Sequence, residues 1–395
     1  MTYAPRNSAK TPSRRPESAM AGIVESNLDI GLLTAVVAAD VALARLDERL
    51  AKSPIRAGWI ARAHFHDACA SLWLAGELVH LEDLVLHDAA MDLRTPTHEL
   101  TRARAVLRAR RRIEGAAPGR FLNGQLDGLR EKSEDDAAVR EETGPLPVDE
   151  DDPLAQEFAA IDAAIKRSSL VLHEGAGASP GRELIYDEDF NEPARLADWR
   201  RELGATEELP PTLAAAVAYE AWRDIEPLEH QNWLGPLLVA DLLRQRGKAL
   251  SHLPCLNLGL RAIPRERRQS PDRAARIAAV LGAIKAAARA GLEEHDRLVL
   301  AEAGLRRRCA GLRSNAKLPA LAEFVISKPL VTAPMIAREL KISARAAQDM
   351  APMLGLRELT GRGRFRAWAY SSRRNLAAVT KQSRRRSPDG SRHHL

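Results

Sequence analysis

Arg345 and Gln348 are the side chains of this sequence best suited to reading nucleic-acid bases. They stand three residues apart, with Ala344 just before them, in the stretch that runs from Ser343 to Gly355. On a helix this spacing places them on one face. Arginine can form two hydrogen bonds with guanine in the major groove, and glutamine can form two with adenine. The pattern therefore predicts a recognition helix for double-stranded DNA.

Residues on both sides of that helix are suited to holding the DNA backbone. Ser343 is expected to cap the helix, and Lys341 lies two residues before it, so both can contact a phosphate. Arg362, Arg364 and Arg366 follow in and just after a glycine-containing turn, where we expect contacts with phosphates or the minor groove.

A winged helix-turn-helix between Leu318 and Tyr370 is predicted to position these side chains. Helices are expected over Pro319–Lys328, from Pro334 to Leu340 and over Ala344–Leu354. Thr332 and Ser343 are the expected N-caps of the second and third helices, and Gly355 ends the third. The stripe Ala347, Met350 and Leu354 should face inward, which leaves Ala344, Arg345, Gln348 and Asp349 outward.

Beyond Gly355 the polar and apolar residues alternate with a period of two. The runs Leu356–Thr360 and Phe365–Tyr370 predict a β-hairpin, the wing. A small helical dimerisation module with solvated arginines is an alternative interpretation of the same stretch.

Charge divides the chain into an acidic body and a basic end. The 395 residues carry a net charge of +6, with 45% hydrophobic and 4% aromatic residues. From Leu305 to Leu395 there are 20 Lys+Arg against 5 Asp+Glu, whereas the remainder has 39 against 48. This division is typical of a nucleic-acid-binding module attached to a separate domain. The scarcity of aromatic residues favours mainly α cores built from alanine and leucine.

Cysteine spacing and hydropathy favour a cytoplasmic protein without a membrane anchor. Cys69, Cys255 and Cys309 are far apart and form no Cys-x-x-Cys pair. The first 20 residues contain no apolar leader, and Ile30–Val41 is too short to span a bilayer.

Composition and periodicity predict six regions. They are a disordered N-terminus (1–20), a helical region (21–114), an acidic linker (115–152), a helical body (153–314), the winged helix-turn-helix (318–370) and a basic disordered tail (371–395). Apolar stripes predict helices with Leu32, Val36, Ala39, Leu43, Leu46 and Leu50 on one face, and with Leu74, Leu78, Leu81 and Val85 on a face within Ile60–Leu86. The arginine run Arg108–Arg112 is interpreted as a solvated helix face.

The segment Leu213–Arg267 resembles the core of Fic-fold proteins, helical enzymes that transfer AMP from ATP to hydroxyl groups. That resemblance implies a helical, Fic-like body. Pro227 and Asn232 match the loop motif of the family, but Glu226 stands where the family has its catalytic histidine. Gln231 and Trp233 replace glycines that approach phosphate, and Leu234 replaces an arginine. A base, small residues and a cation are all missing, so we expect no catalytic residue and no cofactor.

Two other functions stay open. One is a divergent nucleotidyl transferase in which His230 or Glu226 acts; the other is an interaction scaffold regulated by its helix-turn-helix. His64 and His66 point about 200° apart on a helix, so no metal site is expected there. A homodimer is expected, because helix-turn-helix proteins commonly read paired half-sites.

The whole layout, a helical body followed by a helix-turn-helix, is similar to an uncharacterised family common on plasmids of plant-symbiont bacteria. That family pairs a domain of unknown function with a C-terminal DNA-binding helix-turn-helix. The resemblance implies a DNA-binding transcriptional regulator with a degenerate Fic-like body.

Overall fold

The protein is mainly α, as predicted, with one small sheet. The computed structural model describes residues 30–91, 95–124, 126–130, 190–311, 317–359 and 366–370. Within these ranges the helices are α1 (Ile30–Ala51), α2 (Arg56–Leu74), α3 (Leu81–Asp88), α4 (His98–Gly115), α5 (Asp127–Arg130), α6 (Glu192–Gly204), α7 (Pro211–Ile225), α8 (Leu234–Gln245), α9 (Leu256–Arg261), α10 (Arg265–Arg268), α11 (Arg273–Gly311), α12 (Leu318–Ser327), α13 (Ala333–Leu340) and α14 (Ala344–Met353). The strands are β1 (Val331–Thr332), β2 (Arg357–Glu358) and β3 (Ala367–Ala369).

The long helix α11 connects the body to the C-terminal domain. Its first half packs against α7 and α9, and α1 lies along it. The predicted stripe of α1 is confirmed, because Val36, Ala39, Leu43, Leu46 and Leu50 are buried and Leu32 is half-buried against the core. Helix α8 is almost entirely buried in the body, which explains its nearly continuous apolar sequence.

Gly259 allows α9 to cross α11 in close contact. A Cβ atom on Gly259 would lie 2.1 Å from the backbone oxygen of Ala283. We expect Gly259→Ala to lower the free energy of unfolding by about 1–3 kcal/mol, because the two backbones must separate. Urea denaturation followed by circular dichroism measures this change. Gly282→Ala is the matched control, since its added Cβ would meet only a side-chain atom of Ile263 at 3.4 Å; an equal loss in both variants would contradict the explanation.

The single stripe predicted within Ile60–Leu86 is wrong. The chain leaves the helical conformation after Leu74, with Gly76 at φ 85°, and a new helix starts only at Leu81. Leu78 is 62% exposed instead of buried. The positive φ at Gly76 produces the break between the two helices. The apolar residues on its two sides have helical spacing only by chance.

The interpretation of Arg108–Arg112 as a solvated face is also wrong. The side chain of Arg110 is 1% exposed, and its Nη1 donates to Asp67 Oδ2 at 2.6 Å. Its Nη2 donates to the backbone oxygen of Leu253 at 3.1 Å. Arg111 binds both oxygens of Asp88, at 2.7 and 2.9 Å. The run therefore connects α4 to other elements of the body.

The predicted acidic linker, 115–152, begins inside the hydrophobic core. Leu122, Leu126 and Leu129 are buried there with residues of the body. The Gly119 amide also donates to Asp241 Oδ2 at 3.0 Å. Residues 131–152 lie outside the described residues, as do the predicted N-terminus (1–20) and basic tail (371–395).

Two histidines of α2 have lowered pKa values in the folded protein. Burial, assisted by Arg62 and Arg297, lowers the pKa of His66 to about 4, although Glu294 opposes this shift. Burial and the charges of Arg110 and Arg111 hold the pKa of His64 well below its usual value. The folded state thus keeps both rings neutral at a pH where the unfolded chain binds protons.

Stability is therefore expected to fall as the pH decreases from about 6.5 towards 4, because the unfolded chain then binds more protons than the folded one. Urea denaturation at pH 7.5 and 5.0 should give a smaller loss for His66→Gln than for the wild type, by about 1–2 kcal/mol. His98→Gln, at an exposed position, is the control. An unchanged pH dependence in His66→Gln would refute the assignment.

Candidate nucleic-acid interface

The outer surface of α14 carries the side chains predicted to read bases. Ala344, Arg345, Gln348 and Asp349 are exposed, and we call these four residues the reading face. On the opposite side Ala347, Met350 and Leu354 are buried, so the predicted stripe is confirmed. The reading face is thus fixed by the packing of the other side of the same helix.

The start of α14 is capped as the sequence predicted. Ser343 Oγ accepts the amide hydrogen of Ala346 at 3.2 Å and satisfies one of the free N–H groups of the first turn. Ser343 itself is exposed. The remaining N–H groups and the positive end of the helix dipole make this end of α14 attractive to a phosphate.

The turn between α13 and α14 depends on two lysines. Lys341 takes a left-handed conformation, φ 51° and ψ 57°, that ends α13. Lys317 Nζ contacts the backbone oxygens of Leu340 and Lys341, the latter at 3.4 Å. A cation at the C-terminus of a helix is favourable. Lys317 is a positioning residue that the sequence did not reveal, because it stands more than twenty residues before the turn.

Helix α13 begins at the predicted cap. Thr332 Oγ1 accepts from the amide of Met335 at 3.4 Å, and Pro334 lies in the first turn. Thr332 also belongs to β1, which the sequence did not predict. Val331 pairs with Trp368 and Thr332 with Ala367, so β1 adds an edge strand to the wing. A two-residue strand is too short for a period of two to be recognised.

The predicted hairpin is confirmed over β2 and β3, which pair antiparallel in the order β1-β3-β2. Trp368 is buried and anchors the sheet to the domain. Arg366 is exposed, with its Nε 3.7 Å from Glu358 Oε1. Arg362 and Arg364 lie outside the described residues. Arg357, exposed on β2, is a further cation on this surface that the sequence reasoning did not select.

The helix-turn-helix shares a hydrophobic core with the body. Leu321 and Val325 of α12 are buried together with Leu50, Trp59 and Leu305. Gly58 lets α2 approach α12, since a Cβ there would lie 2.8 Å from an Ile326 side-chain atom. The core explains why α12 is apolar on more than one side.

Polar contacts reinforce this attachment. Arg62 Nε lies 3.2 Å from Glu294 Oε1, and its Nη1 contacts the backbone oxygen of Lys328. At the far end of α14, Arg308 Nη1 donates to the backbone oxygen of Leu354 at 2.6 Å. Gly355 follows at φ 62°, the left-handed position that ends the helix. The body therefore contacts the end of α14 and leaves its reading face exposed.

Comparison with known proteins agrees with this division of the chain. Residues 184–310 match a family model described as a protein of unknown function (DUF1612), and residues 318–370 match an HTH DNA binding domain. The uncharacterized protein y4cF of Sinorhizobium fredii (strain NBRC 101917 / NGR234) is 44% identical over 360 residues, covering 84% of this chain and 94% of the relative. The chain therefore belongs to the same family as y4cF. It combines a DUF1612 domain with a C-terminal helix-turn-helix.

A solved structure also resembles the chain. It is a Fic family protein from Desulfovibrio desulfuricans G20, 13% identical, with a TM-score of 0.43 over 88% of this chain and 98% of that one. Similarity at this level establishes neither a shared activity nor a shared site.

The four residues selected for their resemblance to the Fic loop motif lie between α7 and α8. Glu226 is exposed in a left-handed conformation, φ 47°, at the end of α7, whereas Pro227 is buried. The side chain of His230 is 43% exposed, with its Nε2 4.0 Å from Glu229 Oε1. The backbone oxygen of Asn232 accepts from Trp222 Nε1 at 3.1 Å. The loop thus closes over the indole of Trp222.

In the part of the chain that the structure describes, no helix is both long and apolar enough to cross a membrane. Nor do three or more His, Cys, Asp or Glu side chains come together there as a metal site would require. Its three cysteines are free.

Proposed function

We propose that this protein binds double-stranded DNA in a sequence-specific way, as a homodimer, and regulates transcription from the bacterial cytoplasm. The observation that supports this function is the reading face, which is exposed on a capped helix within a domain anchored to the body. A rigid platform with an open outer face is what direct readout in the major groove requires.

Each residue of the interface has an expected role. Arg345 donates two hydrogen bonds to a guanine, Gln348 bonds an adenine, and Ala344 contacts a thymine methyl group. Asp349, which the sequence reasoning left without a role, can accept from the amino group of a cytosine. Lys341, Ser343 and Arg366 hold phosphates, together with Arg362 and Arg364 of the wing.

The helical body is proposed to perform no nucleotidyl transfer. Glu226 stands where a base would be needed, and the half-buried Trp233 fills a position where the Fic loop has glycine. Gly235 is in contact with Trp222, since a Cβ there would lie 2.4 Å from the indole ring. Side chains larger than glycine at these positions hinder the approach of a phosphate to the backbone amides. The body then acts as a support and a surface for regulation.

Selection from a random DNA pool, followed by a promoter reporter, tests the proposal. The purified protein should enrich one short motif, and a promoter that carries the motif should change its output when the protein is expressed. Protein with alanine at both Arg345 and Gln348 is the control and should enrich no motif. Enrichment of the same motif by that variant would show that other residues read the sequence.

A further inference from the structure

Helix α1 carries a second apolar stripe on the side that faces away from the body. Ile30 is 81% exposed, Leu33 and Val37 are each 53% exposed, and Val41 is 43% exposed. The buried stripe of the same helix occupies its other side. The first half of α1 is therefore apolar nearly all round, and a helix of this kind is normally covered on both sides. We propose that this outer stripe of α1 binds a second copy of the chain.

The spacing of the stripe matches what a second copy would offer. The exposed side chains of Thr34 and Ala44 extend the stripe, and Leu33 lies at its edge. Along its centre, Ile30, Thr34, Val37, Val41 and Ala44 follow one another in steps of four, three, four and three residues. This is the a/d spacing of a helix that pairs with another helix. The order of steps is nearly the same in both directions, so an antiparallel copy of α1 places Val37 beside Val41 and Thr34 beside Ala44.

In a two-fold interface, every contact between one residue and a second residue of the partner occurs twice, once in each direction. The pairing of Val37 with Val41 and of Thr34 with Ala44 meets this condition. The bulky valines then meet at the centre, with small side chains on both sides of them.

The charged groups near the stripe are compatible with burial of its centre. The carboxylate of Asp40, the one acidic residue between Ile30 and Ala44, is turned away and binds Lys248 Nζ at 2.8 Å. Arg45, Lys285 and Arg289 border the groove between α1 and α11 and are exposed. Their long side chains can remain in water at the edge of an interface.

The proposed contact includes residues of α11 as well as α1. Leu292 lines the groove beside α1, and a neighbouring groove reaches the exposed Val299. The dimer is proposed to bury ~800 Å² per partner, the area of a standard interface.

The arrangement rests on the proposed function for its biological meaning, and it predicts the spacing of the half-sites. Helix α11 contains both Arg289, which lies beside the stripe, and Arg308, which contacts the end of α14. The two residues are about 30 Å apart along the helix axis. Two antiparallel copies thus separate their helix-turn-helix domains by about 60 Å, on the order of two turns of DNA.

Light scattering of the full-length protein, without DNA and at micromolar concentrations, tests the interface. The wild type should be a dimer, whereas Val37→Glu should raise the dissociation constant at least about tenfold, because it places two carboxylates in an apolar contact. Leu78→Glu, at an exposed leucine elsewhere, is the matched control and should stay dimeric. Both variants should keep the far-UV circular dichroism of the folded wild type, since both side chains are exposed, and loss of the dimer itself lowers the unfolding temperature of Val37→Glu.

A monomeric wild type, or a Val37→Glu variant as dimeric as the wild type, would overturn the proposal. A monomeric wild type with a lower unfolding temperature for Val37→Glu would show that the stripe is covered by the same chain. Dimerisation is measured without DNA, so the result is independent of the proposed DNA binding. The dimer proposal can be refuted while DNA binding is confirmed, and DNA binding can be refuted while the dimer is confirmed.

Discussion

Replacing Arg345 with alanine is expected to weaken binding to the preferred DNA sequence by about 1–3 kcal/mol, or roughly 5- to 150-fold. Arg345 lies in the centre of the reading face and is exposed, so no contact of the fold is lost. Binding to random DNA should change much less, because non-specific affinity comes from phosphate contacts. Fluorescence anisotropy with a selected and a scrambled duplex measures both.

Arg366→Ala is the matched control for that prediction, since it removes an exposed arginine from the wing. It should weaken the selected and the scrambled duplex about equally and lower the slope of log K against log salt by about one. Arg364→Ala is expected to act in the same way. If Arg345→Ala also weakened the two duplexes equally, base reading by α14 would be excluded.

Replacing Asp67 with alanine should destabilise the body by about 3–5 kcal/mol, since it leaves the buried charge of Arg110 without its partner. Asp67 accepts from Arg110 Nη1 at 2.6 Å, from Asn257 Nδ2 at 2.9 Å and from the amide of Leu258 at 2.9 Å. Three elements, α2, α4 and α9, thus lose a shared contact. Urea denaturation followed by circular dichroism gives the change in the free energy of unfolding.

Arg49→Ala provides the comparison for this second prediction. Arg49 is paired with Asp296 at 2.9 Å, but both side chains are more than half exposed. Water solvates each charge when the other is removed, so the expected loss is at most about 1 kcal/mol. If Asp67→Ala does not fold, Asp67→Asn, which keeps the shape of the side chain, replaces it. Equal losses for the buried and the exposed pair would refute the role given to Asp67.

The winged helix-turn-helix was predictable because its signals are local. Thr332 and Ser343 cap their helices within three residues, and Gly355 ends the third helix where a left-handed conformation is required. Such features depend on neighbours in the sequence and not on the rest of the fold. The outward face of α14 followed from the same periodicity, and exposure in the structure agrees with it.

The body was less predictable because its determining contacts join distant residues. Arg110 stands within a run of arginines that looks solvated, yet it meets Asp67, 43 positions away. Lys317 and β1 were missed for the same reason, since each depends on a partner elsewhere in the domain. Periodicity alone predicted a single apolar stripe that continued past Gly76. The left-handed conformation of this one residue ends the helix instead.

The outer stripe of α1 was also not predicted. The sequence analysis identified the stripe that the body covers, but it did not recognise a second apolar stripe on the same helix. Burial of Leu43 and Leu50 identifies the inner stripe, and the exposure of Val37 then identifies the outer one.

Binding of the full-length protein to fragments of its own upstream DNA, against random competitor and at two salt concentrations, tests sequence-specific binding most directly. One fragment should be preferred, and the preference should persist at the higher salt, because base contacts do not depend on counterion release. Equal binding of all fragments that disappears at the higher salt would contradict sequence-specific binding. The basic C-terminal part of the chain would then bind DNA only through the negative charge of the phosphates, without reading the sequence.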